Sequence, residues 1–406
     1  MYCRSCGKNS PDTAGFCGSC GARLATAIPV DDSPSATSGK TSRGVLPIIS
    51  VVMLSVVVTF AIYYSSRHHS IQATSNTHSA SNITFRHYSV VDLGPVEYIE
   101  GTYHSLGVAI SSEGTIADLD TDAKTAVSSI RYWKNGQWES KGTVSGYRFP
   151  QIIAINDHLQ ALCLGGSNNG GQYFLWSNGT VFPVGEAGTA LSANKAFAIN
   201  EAGSIVGASS HKAFLFRNGV LASLKTSIIG SFATAISNNG QIAGFVADES
   251  GRNEYVCHSY LWSNDKTTLI GSLPGKASSR PSSVNDKDEV VGNAFDTADI
   301  PNLDEPDRAF FWRSGVMTDL GSLGGSSSIA YCINNNSQIV GSTGKVGETK
   351  RAFLWQDGKM VDLNTLLPAN SGWTLEEATG ISDSGQIIGF GNYQKNFRVA
   401  FLLTPE

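Results

Sequence analysis

Four cysteines in the first twenty residues have the type and spacing needed to hold a metal ion. Cys3 and Cys6 form one C-x-x-C pair, and Cys17 and Cys20 form a second pair after ten intervening residues. Two such pairs can close on one tetrahedral ion, and thiolates at this spacing favour Zn²⁺. Two disulfide bonds are the alternative. A segment this short has almost no apolar core, so it needs the metal or the crosslinks to fold, and we predict a zinc ribbon over residues 1–24.

Glycines follow both cysteine pairs, at Gly7 and Gly21. A glycine at that point lets backbone amides turn toward the sulfur atoms without obstruction by a side chain. The segment from Tyr2 to Leu24 resembles the short zinc-ribbon domains at the N-terminus of many bacterial membrane-anchored proteins. We expect it to serve as a folding module or as a contact on the cytosolic side.

The next segments predict a membrane anchor. Residues 25–43 are rich in Ser, Thr, Asp, Pro and Gly without periodicity, which is typical of a flexible linker. Residues 44–66 carry no charge, and their apolar length is sufficient to cross a hydrocarbon layer of about 30 Å. A buried helix or a cleavable signal peptide is the alternative, but a signal peptide begins within the first few residues. We predict one transmembrane helix over 44–66.

Charges around the apolar segment predict its orientation. Lys40 and Arg43 precede it, whereas Arg67 alone follows closely, and positive flanks favour the cytoplasmic side. Reduced thiols, which a zinc site needs, also persist in the cytosol. We therefore expect a single-pass membrane protein with a cytoplasmic N-terminus. A polar tether over 67–84 then leads to an extracytoplasmic domain over 85–406.

One short phrase recurs seven times in residues 85–406: a small residue, then Ile or Val, then Asn or Ser. The branched residues are 45, 44, 37, 48, 49 and 48 positions apart. They are Ile110, Ile155, Ile199, Ile236, Val284, Ile333 and Ile381. A period of this size, filled with short strands, predicts β-propeller blades rather than a helical solenoid.

Each unit carries four strand signals in the same order. The branched residue is followed by a tight turn, a second strand of the type Gly-Gln-Ile-Val-Gly, an aromatic third strand and a short fourth strand. Two-residue turns such as Asn218-Gly219 join the third and fourth strands and favour positive φ. Because aromatic residues recur in every unit, we interpret them as packing between adjacent sheets rather than as a binding platform.

The count of strands predicts how the ring closes. The last unit ends at its aromatic strand, Phe401 to Leu403, whereas Tyr88 to Gly94 forms a fourth-strand phrase without a unit of its own. Pairing these two segments hides the free sheet edges. We predict a mainly β fold, a seven-bladed β-propeller closed by the N-terminal strand.

The phrases Ala-Ile-Asn, Gly-Gln-Ile-Val-Gly, Arg-Ala-Phe-Leu-Trp and Asp-Leu-Gly resemble those of the HAF-repeat family of predicted extracellular bacterial proteins. The likeness covers Tyr88 to Glu406 and is best in the last three units. This resemblance implies an exported β-repeat domain and no established chemistry.

The repeat region contains no G-x-S-x-G, H-E-x-x-H or Gly-rich phosphate motif, so we assign no catalytic or cofactor-binding residues in it. The chain as a whole is acidic, with a net charge of -5 and a pI near 5.9. It therefore lacks the excess of positive charge that binding to a phosphate backbone requires, which argues against nucleic-acid binding by the propeller. Cys163, Cys257 and Cys332 fall in units that are not neighbours, and we expect free, mostly buried thiols.

Loop length distinguishes the two faces of the predicted ring. The first-to-second and third-to-fourth connections are tight turns on one face. The second-to-third and blade-to-blade connections are longer, as in Ala247 to Val256, Pro274 to Pro281 and Asn293 to Asp307, and define the long-loop face. Because recognition residues gather on loops over a rigid scaffold, we expect this face to bind a protein or glycan of the cell envelope.

The alternative is a propeller enzyme of the hydrolase or lyase type that acts on an extracytoplasmic glycan or peptide. Such an enzyme can carry its reactive residues on scattered loop ends, where no motif marks them. Titratable side chains that converge near the central axis on the long-loop face would favour this alternative.

Overall fold

The computed structural model describes most of the repeat region. The described residues are 84–95, 108–122, 125, 127–167, 170–184, 194–224, 230–249, 255–296, 307–344, 350–394 and 396–406. The zinc-ribbon cysteines Cys3, Cys6, Cys17 and Cys20, the linker, the transmembrane segment and the tether up to residue 83 lie outside them, so those expectations stay predictions. Within the described ranges, no helix has the length and apolar character that crossing a membrane requires.

The described chain forms seven four-stranded antiparallel sheets, which confirms the seven-bladed β-propeller. The first strand of every blade contacts the first strands of both neighbouring blades, so these seven strands surround the central axis. The first strands are β2 (Val108–Ile110), β6 (Arg148–Ile155), β10 (Asn194–Ile199), β14 (Ser231–Ile236), β18 (Ser278–Val284), β22 (Ser328–Ile333) and β26 (Trp373–Ile381). The second strands are β3 (Ile116–Thr121), β7 (Gln160–Ser167), β11 (Ile205–Ser209), β15 (Ile242–Glu249), β19 (Val290–Phe295), β23 (Ile339–Thr343) and β27 (Ile387–Tyr393).

The outer half of each blade is built from its aromatic strand and its short last strand. The third strands are β4 (Ser128–Lys134), β8 (Gly170–Ser177), β12 (Lys212–Arg217), β16 (Tyr255–Ser263), β20 (Arg308–Arg313), β24 (Arg351–Gln356) and β28 (Asn396–Pro405). The fourth strands are β5 (Gln137–Val144), β9 (Thr180–Pro183), β13 (Val220–Ser223), β17 (Lys266–Gly271), β21 (Val316–Asp319), β25 (Lys359–Asp362) and β1 (Tyr88–Pro95). A 3-10 helix, Leu363–Leu366, connects blade 6 to blade 7.

The ring closes as the strand count predicts. Blade 7 has the strand order β1, β28, β27, β26, in which the N-terminal strand pairs antiparallel with the C-terminal one. Tyr88 lies opposite Pro405 and Val91 lies opposite Leu402. The two ends of the repeat region are therefore hydrogen-bonded within one sheet, and this removes the open edges that would invite association.

The turns show why the repeat carries Gly and Asn where it does. Both residues of the two-residue turn Asn218-Gly219 have positive φ, 51° and 77°, as its type predicts. The fourth position of the first-to-second turn also has positive φ in all seven blades. These residues are Gly114, Leu159, Gly203, Gly240, Asp288, Ser337 and Gly385. Four of the seven are Gly because only Gly adopts this conformation without a steric cost.

The Asn of the recurring phrase has a second function besides the turn. Asn334 Nδ2 donates a hydrogen bond of 2.8 Å to the carbonyl oxygen of Ser382, its equivalent in the next blade. Asn156 and Asn285 donate in the same way to Asn200 and Asn334, at 3.1 and 3.0 Å. A short side chain that satisfies a buried carbonyl of the neighbouring sheet fixes the spacing of the blades.

The aromatic third strands form the packing between sheets, as predicted. In six blades an aromatic residue lies opposite the last position of the second-strand phrase, and all six are at most 1% exposed: Phe174, Phe214, Tyr260, Phe310, Phe353 and Phe401. Opposite Phe353 stands Gly341, where an added Cβ would lie 2.0 Å from the carbonyl oxygen of Ile329. The last Gly of the second-strand phrase is therefore required by the close approach of the first strand.

Blade 1 replaces this Gly and aromatic pair with an ion pair. Asp118 occupies the glycine position of β3, and Arg131 lies directly opposite in β4. Arg131 Nη2 is 2.5 Å from Asp118 Oδ2, and the guanidinium carbon lies 4.7 Å from the ring centroid of Trp138. Burial raises the pKa of Asp118, and the hydrogen bond and positive charge of Arg131 oppose that rise. The pair thus compensates for a carboxylate in a largely buried position.

The three cysteines of the propeller are free thiols, as expected. Cys163 and Cys257 are buried, and Cys332 is half-buried. Each lies in a different blade, and none of the three blades adjoins another of the three. Disulfide geometry between them is therefore excluded by distance.

Candidate ligand site on the long-loop face

A bulge in the first strands separates the regular part of the ring from a variable part. In the six blades whose first strand is described far enough, one unpaired residue stands two positions before the branched residue. These bulge residues are Ile153, Phe197, Thr234, Ser282, Tyr331 and Thr379. A bulge re-aims the side chains around it and is common beside functional sites.

Small hydroxyl residues at the bulge tie adjacent blades together. Thr234 Oγ1 donates to the carbonyl oxygen of Pro281 at 2.9 Å. Ser282 Oγ donates to the carbonyl oxygen of Ala330 at 2.6 Å. In blade 6 the same position holds Tyr331, which is too large for this role and carries a phenol group instead.

At the position two residues before the bulge, the residue type differs from blade to blade, whereas the placement of the backbone is the same. The carbonyl oxygens of Phe232 and Arg280 would each lie 2.1 Å from a Cβ built on the facing glycine, and those of Ile329 and Glu377 each 2.0 Å. The four residues therefore share one backbone placement near the long-loop end of the first strand. Their side chains are aromatic, cationic, aliphatic and anionic, so this level of the ring has no repeat.

Arg280 is the best-held side chain at this level. Its guanidinium carbon lies 5.1 Å from the ring centroid of Phe245 and 4.9 Å from that of Phe295. Its Nε donates to the Sγ atom of the buried Cys257 at 3.4 Å. Stacking between two aromatic rings is a favourable environment for a guanidinium.

The stack continues beyond Arg280 into neighbouring blades. Phe245 stacks on Phe232 with a centroid distance of 4.8 Å, and the exposed His211 contacts Phe232 edge-on at 6.1 Å. The result is a row of flat groups that we call the aromatic row: His211, Phe232, Phe245, Arg280 and Phe295. It crosses blades 3, 4 and 5 on the long-loop face.

Paired polar groups lie beside the aromatic row in blade 5. Lys276 Nζ is 2.5 Å from Asp296 Oδ2, and Asn293 Nδ2 donates to Asp307 Oδ2 at 2.9 Å. Burial raises the pKa of Asp307, opposed by the Asn293 hydrogen bond and by the positive charges of Lys276 and Arg280. These groups come from the connection before β18 and from the two ends of the connection between β19 and β20.

A second polar group surrounds Tyr331 in blades 6 and 7. Ser342 Oγ donates to the Tyr331 hydroxyl at 3.4 Å, and Lys350 Nζ lies 2.7 Å from Glu377 Oε1. Burial raises the pKa of Tyr331, and the nearby negative charges of Glu377 and Asp307 raise it further, whereas the Ser342 hydrogen bond lowers it. The phenol therefore stays protonated at neutral pH and can donate a hydrogen bond or a proton.

Loop lengths predict the long-loop face as the ligand face, but they do not predict the residues at the centre of the candidate site. Of the predicted loops, Pro274 to Pro281 is described in full, whereas residues 250–254 and 297–306 lie outside the described ranges. Loop length carried no information about Arg280 or Tyr331, because both lie within strands. A usable signal was present: at these two positions the otherwise repetitive first strands differ from blade to blade. In the part of the chain that the structure describes, no group of three or more His, Cys, Asp or Glu could hold a metal ion.

Comparison with known proteins adds the fold class alone. No protein-family model matches the chain, and no curated protein matches it. The resemblance to the HAF-repeat family and to zinc ribbons therefore stays a prediction. The class of protein that the structure defines is a closed seven-bladed β-propeller.

Solved structures similar to this chain include one β-propeller domain and two lyases. The β-propeller domain of the Trilobed protease from Pyrococcus furiosus matches at 11% identity and a TM-score of 0.46, over 64% of this chain and 81% of that one. A streptogramin B lyase matches at 10% identity and a TM-score of 0.47, over 79% and 98%. The polysaccharide lyase Uly1 matches at 10% identity and a TM-score of 0.44, over 79% and 99%. Similarity at this level concerns the fold and not the chemistry.

Proposed function

We propose that the propeller is a recognition domain that binds a component of the cell envelope on its long-loop face. The whole chain would then be a single-pass membrane protein, with a cytoplasmic Zn²⁺ ribbon that serves as a contact or folding module. The observation that carries the proposal is the concentration of stacked and paired side chains around Arg280 and Tyr331, at the level where equivalent positions differ. Ligand sites combine aromatic surface with a few oriented polar groups in this way.

A glycan suits this face better than a protein. Among the described residues, five of the six large exposed apolar side chains lie on fourth strands, at the rim of the ring. These are Val91, Phe182, Val220, Leu269 and Val316, while the sixth, Val127, precedes β4. A stable protein interface needs an apolar centre, which these scattered positions do not provide. The paired carboxylates, amides and amines beside the aromatic row instead match the hydroxyl groups of a sugar.

Retention of solubilised envelope glycans by the immobilised full chain tests the proposal. Glu377→Gln removes the charge that pairs with Lys350 on the long-loop face. Glu139→Gln makes the same change in the exposed pair of Glu139 and Lys141 on β5, at 3.2 Å. Because a charge-assisted hydrogen bond is worth about 1.5–3 kcal/mol, we expect Glu377→Gln to weaken retention by roughly tenfold or more. The control should be unchanged.

Two results would contradict recognition of a glycan at this face. One is retention of an envelope protein with no retention of any glycan, which would show that the ligand is a protein and not a glycan. The other is an equal loss of retention in the Glu377→Gln and Glu139→Gln chains, which would remove the long-loop face from the proposal.

The second candidate function is an enzyme of the hydrolase or lyase type that acts on the same ligand. It is favoured by the protonated Tyr331 hydroxyl, which stands beside Glu377 and Asp307 where a general acid could donate a proton to a leaving oxygen. Tyr331→Phe should then lower product formation by about 10²- to 10⁴-fold, a much larger effect than its effect on retention. Tyr147→Phe, which removes a hydroxyl bonded to Gln172 at 3.4 Å, is the control. Absence of product with the unmodified chain would reject the enzyme.

A further inference from the structure

Three groups orient the guanidinium of Arg280. Its carbon atom lies 5.1 Å from the ring centroid of Phe245 and 4.9 Å from that of Phe295, and its Nε donates a hydrogen bond to the Cys257 sulfur. The remaining edge carries Nη1 and Nη2, the two nitrogens that can donate side by side to a pair of oxygens. Arg280 is half-buried, and among the described residues neither Nη1 nor Nη2 has a hydrogen-bond partner.

No carboxylate of the described residues lies within ion-pair distance of Arg280. Three other arginines of the described residues, by contrast, are paired: Arg131, Arg308 and Arg351 lie 2.5, 2.9 and 3.6 Å from Asp118, Asp319 and Asp362. Asp307, whose pKa the positive charge of Arg280 lowers, accepts a hydrogen bond from Asn293 instead. Because no described residue supplies a carboxylate partner, this oriented guanidinium can accept one from a ligand.

The backbone of Arg280 is restricted as well as its side chain. Pro281 follows it and restricts Arg280 to extended conformations. Gly292 faces it so closely that a Cβ there would lie 2.1 Å from the Arg280 carbonyl oxygen. A donor held in place in this way loses little conformational entropy when a ligand binds, so more of the interaction energy appears as affinity.

We propose that Arg280 binds the carboxylate of an acidic sugar through Nη1 and Nη2, and that the recognised glycan therefore contains a uronic acid or a comparable sugar acid. This inference rests on the proposed recognition of a glycan at the long-loop face. A carboxylate presents two oxygens in a plane that matches the guanidinium edge. A phosphate carries more negative charge, and the carboxylate of Asp307, which interacts electrostatically with Arg280, disfavours a dianion there.

The test is an array of uronic-acid oligosaccharides, each printed beside its methyl ester, probed with the full chain. The ester keeps every hydroxyl group and loses only the carboxylate charge. We expect the unmodified chain to bind the acid at least about tenfold more tightly than the ester, because bidentate charge-assisted hydrogen bonds are the strong ones. Arg280→Lys keeps a charge but loses the planar fork, and it should lose most of this ratio. Arg280→Met should lose all of it.

Arg217→Lys is the matched control, since Arg217 is exposed at the end of β12 that leads to the tight turn on the opposite face. It should keep the acid preference of the unmodified chain. Near-ultraviolet circular dichroism checks that each variant is folded, and Arg280→Lys retains the aliphatic stem if Arg280→Met does not fold.

Equal binding of acid and ester by the unmodified chain would overturn the carboxylate proposal and leave glycan recognition standing. A preference for the acid that survives in both Arg280 variants would have the same meaning. Binding of no oligosaccharide, acid or ester, would reject both proposals together. Two added arms address other sources of negative charge: inorganic phosphate should not compete with the acid, and an acidic hexapeptide should not bind. Competition by phosphate, or binding of the peptide alone, would overturn the assignment to an acidic sugar.

Discussion

A methyl group at Gly292 would collide with the backbone that carries Arg280. Its Cβ would lie 2.1 Å from the Arg280 carbonyl oxygen and 2.8 Å from Pro281 Cα. Because an ordinary carbon-to-oxygen contact is about 3.3 Å, strands β18 and β19 would have to separate locally by about 1 Å. The three nearest atoms all belong to the backbone, so no flexible side chain can relieve the contact. Overpacking of this kind costs about 1–3 kcal/mol, and we expect Gly292→Ala to lower the free energy of unfolding by about 2 kcal/mol.

Gly341→Ala provides a control with the same strain in a different place. Its Cβ would lie 2.0 Å from the carbonyl oxygen of Ile329, at the equivalent position of blade 6. We expect a similar loss of stability, with a further contribution from the ring of Phe353 at 2.7 Å. Only Gly292→Ala moves Arg280, so only that variant should lower the preference for an acidic sugar over its ester.

Urea denaturation followed by tryptophan fluorescence measures the stability, and the acid-to-ester binding ratio of the folded variants measures the site. If Gly292→Ala were as stable as the unmodified chain, the close approach of β18 and β19 would be wrong. If both variants lost the binding ratio equally, the effect would come from general destabilisation and the placement of Arg280 by Gly292 would be refuted.

Three further predictions concern the scaffold. Asn334→Ala should cost about 1–2 kcal/mol in urea unfolding by leaving a carbonyl of the next blade unpaired; an unchanged midpoint would contradict the inter-blade role. In a double-mutant cycle, Asp118→Gly and Arg131→Phe should each lower the free energy of unfolding by about 1–2 kcal/mol, and the double variant should recover most of that loss. Additive losses would refute the idea that the ion pair of blade 1 stands in for the Gly and aromatic pair of the other blades. Burial and the neighbouring Asp157 carboxylate hold the pKa of Glu201 above its ordinary value of 4.5. Its contribution to stability is therefore present below pH 4.5 and lost as the pH rises through the raised pKa, and Glu201→Gln should flatten that dependence.

The fold could be predicted because the turns and strands of each repeat are specified by residues within that repeat. Asn218-Gly219 specifies a tight turn through its own φ preferences, without reference to any distant residue. The unattached phrase at Tyr88 and the truncated unit at Phe401 had to pair, because a propeller with one three-stranded blade would leave an open edge. Strand number and ring closure thus followed from counting.

The candidate site could not be predicted in this way because its contacts join different strands. The environment of Arg280 consists of Phe245 and Cys257 from blade 4 and Phe295 from the next strand of its own blade. The bulge at Tyr331 depends on the register between β22 and β23, which a single strand does not encode. The Asn of the phrase predicts a turn through its local sequence, whereas its hydrogen bond to the next blade depends on how two blades pack and cannot be predicted from one repeat.

Once the ring is known, the repeat indicates which positions are candidates for a ligand site. Positions that ring closure dictates recur around the ring: the positive-φ turn position is present in all seven blades, and the buried aromatic residue in six. A binding site for one ligand cannot have sevenfold symmetry, so it must use positions at which equivalent residues differ while the backbone stays the same. The level of the first strands that holds Phe232, Arg280, Ile329 and Glu377 satisfies both conditions. The same argument makes Tyr331 a candidate for the site, since it stands where Thr234 and Ser282 donate inter-blade hydrogen bonds in blades 4 and 5 and carries a phenol near charged groups instead.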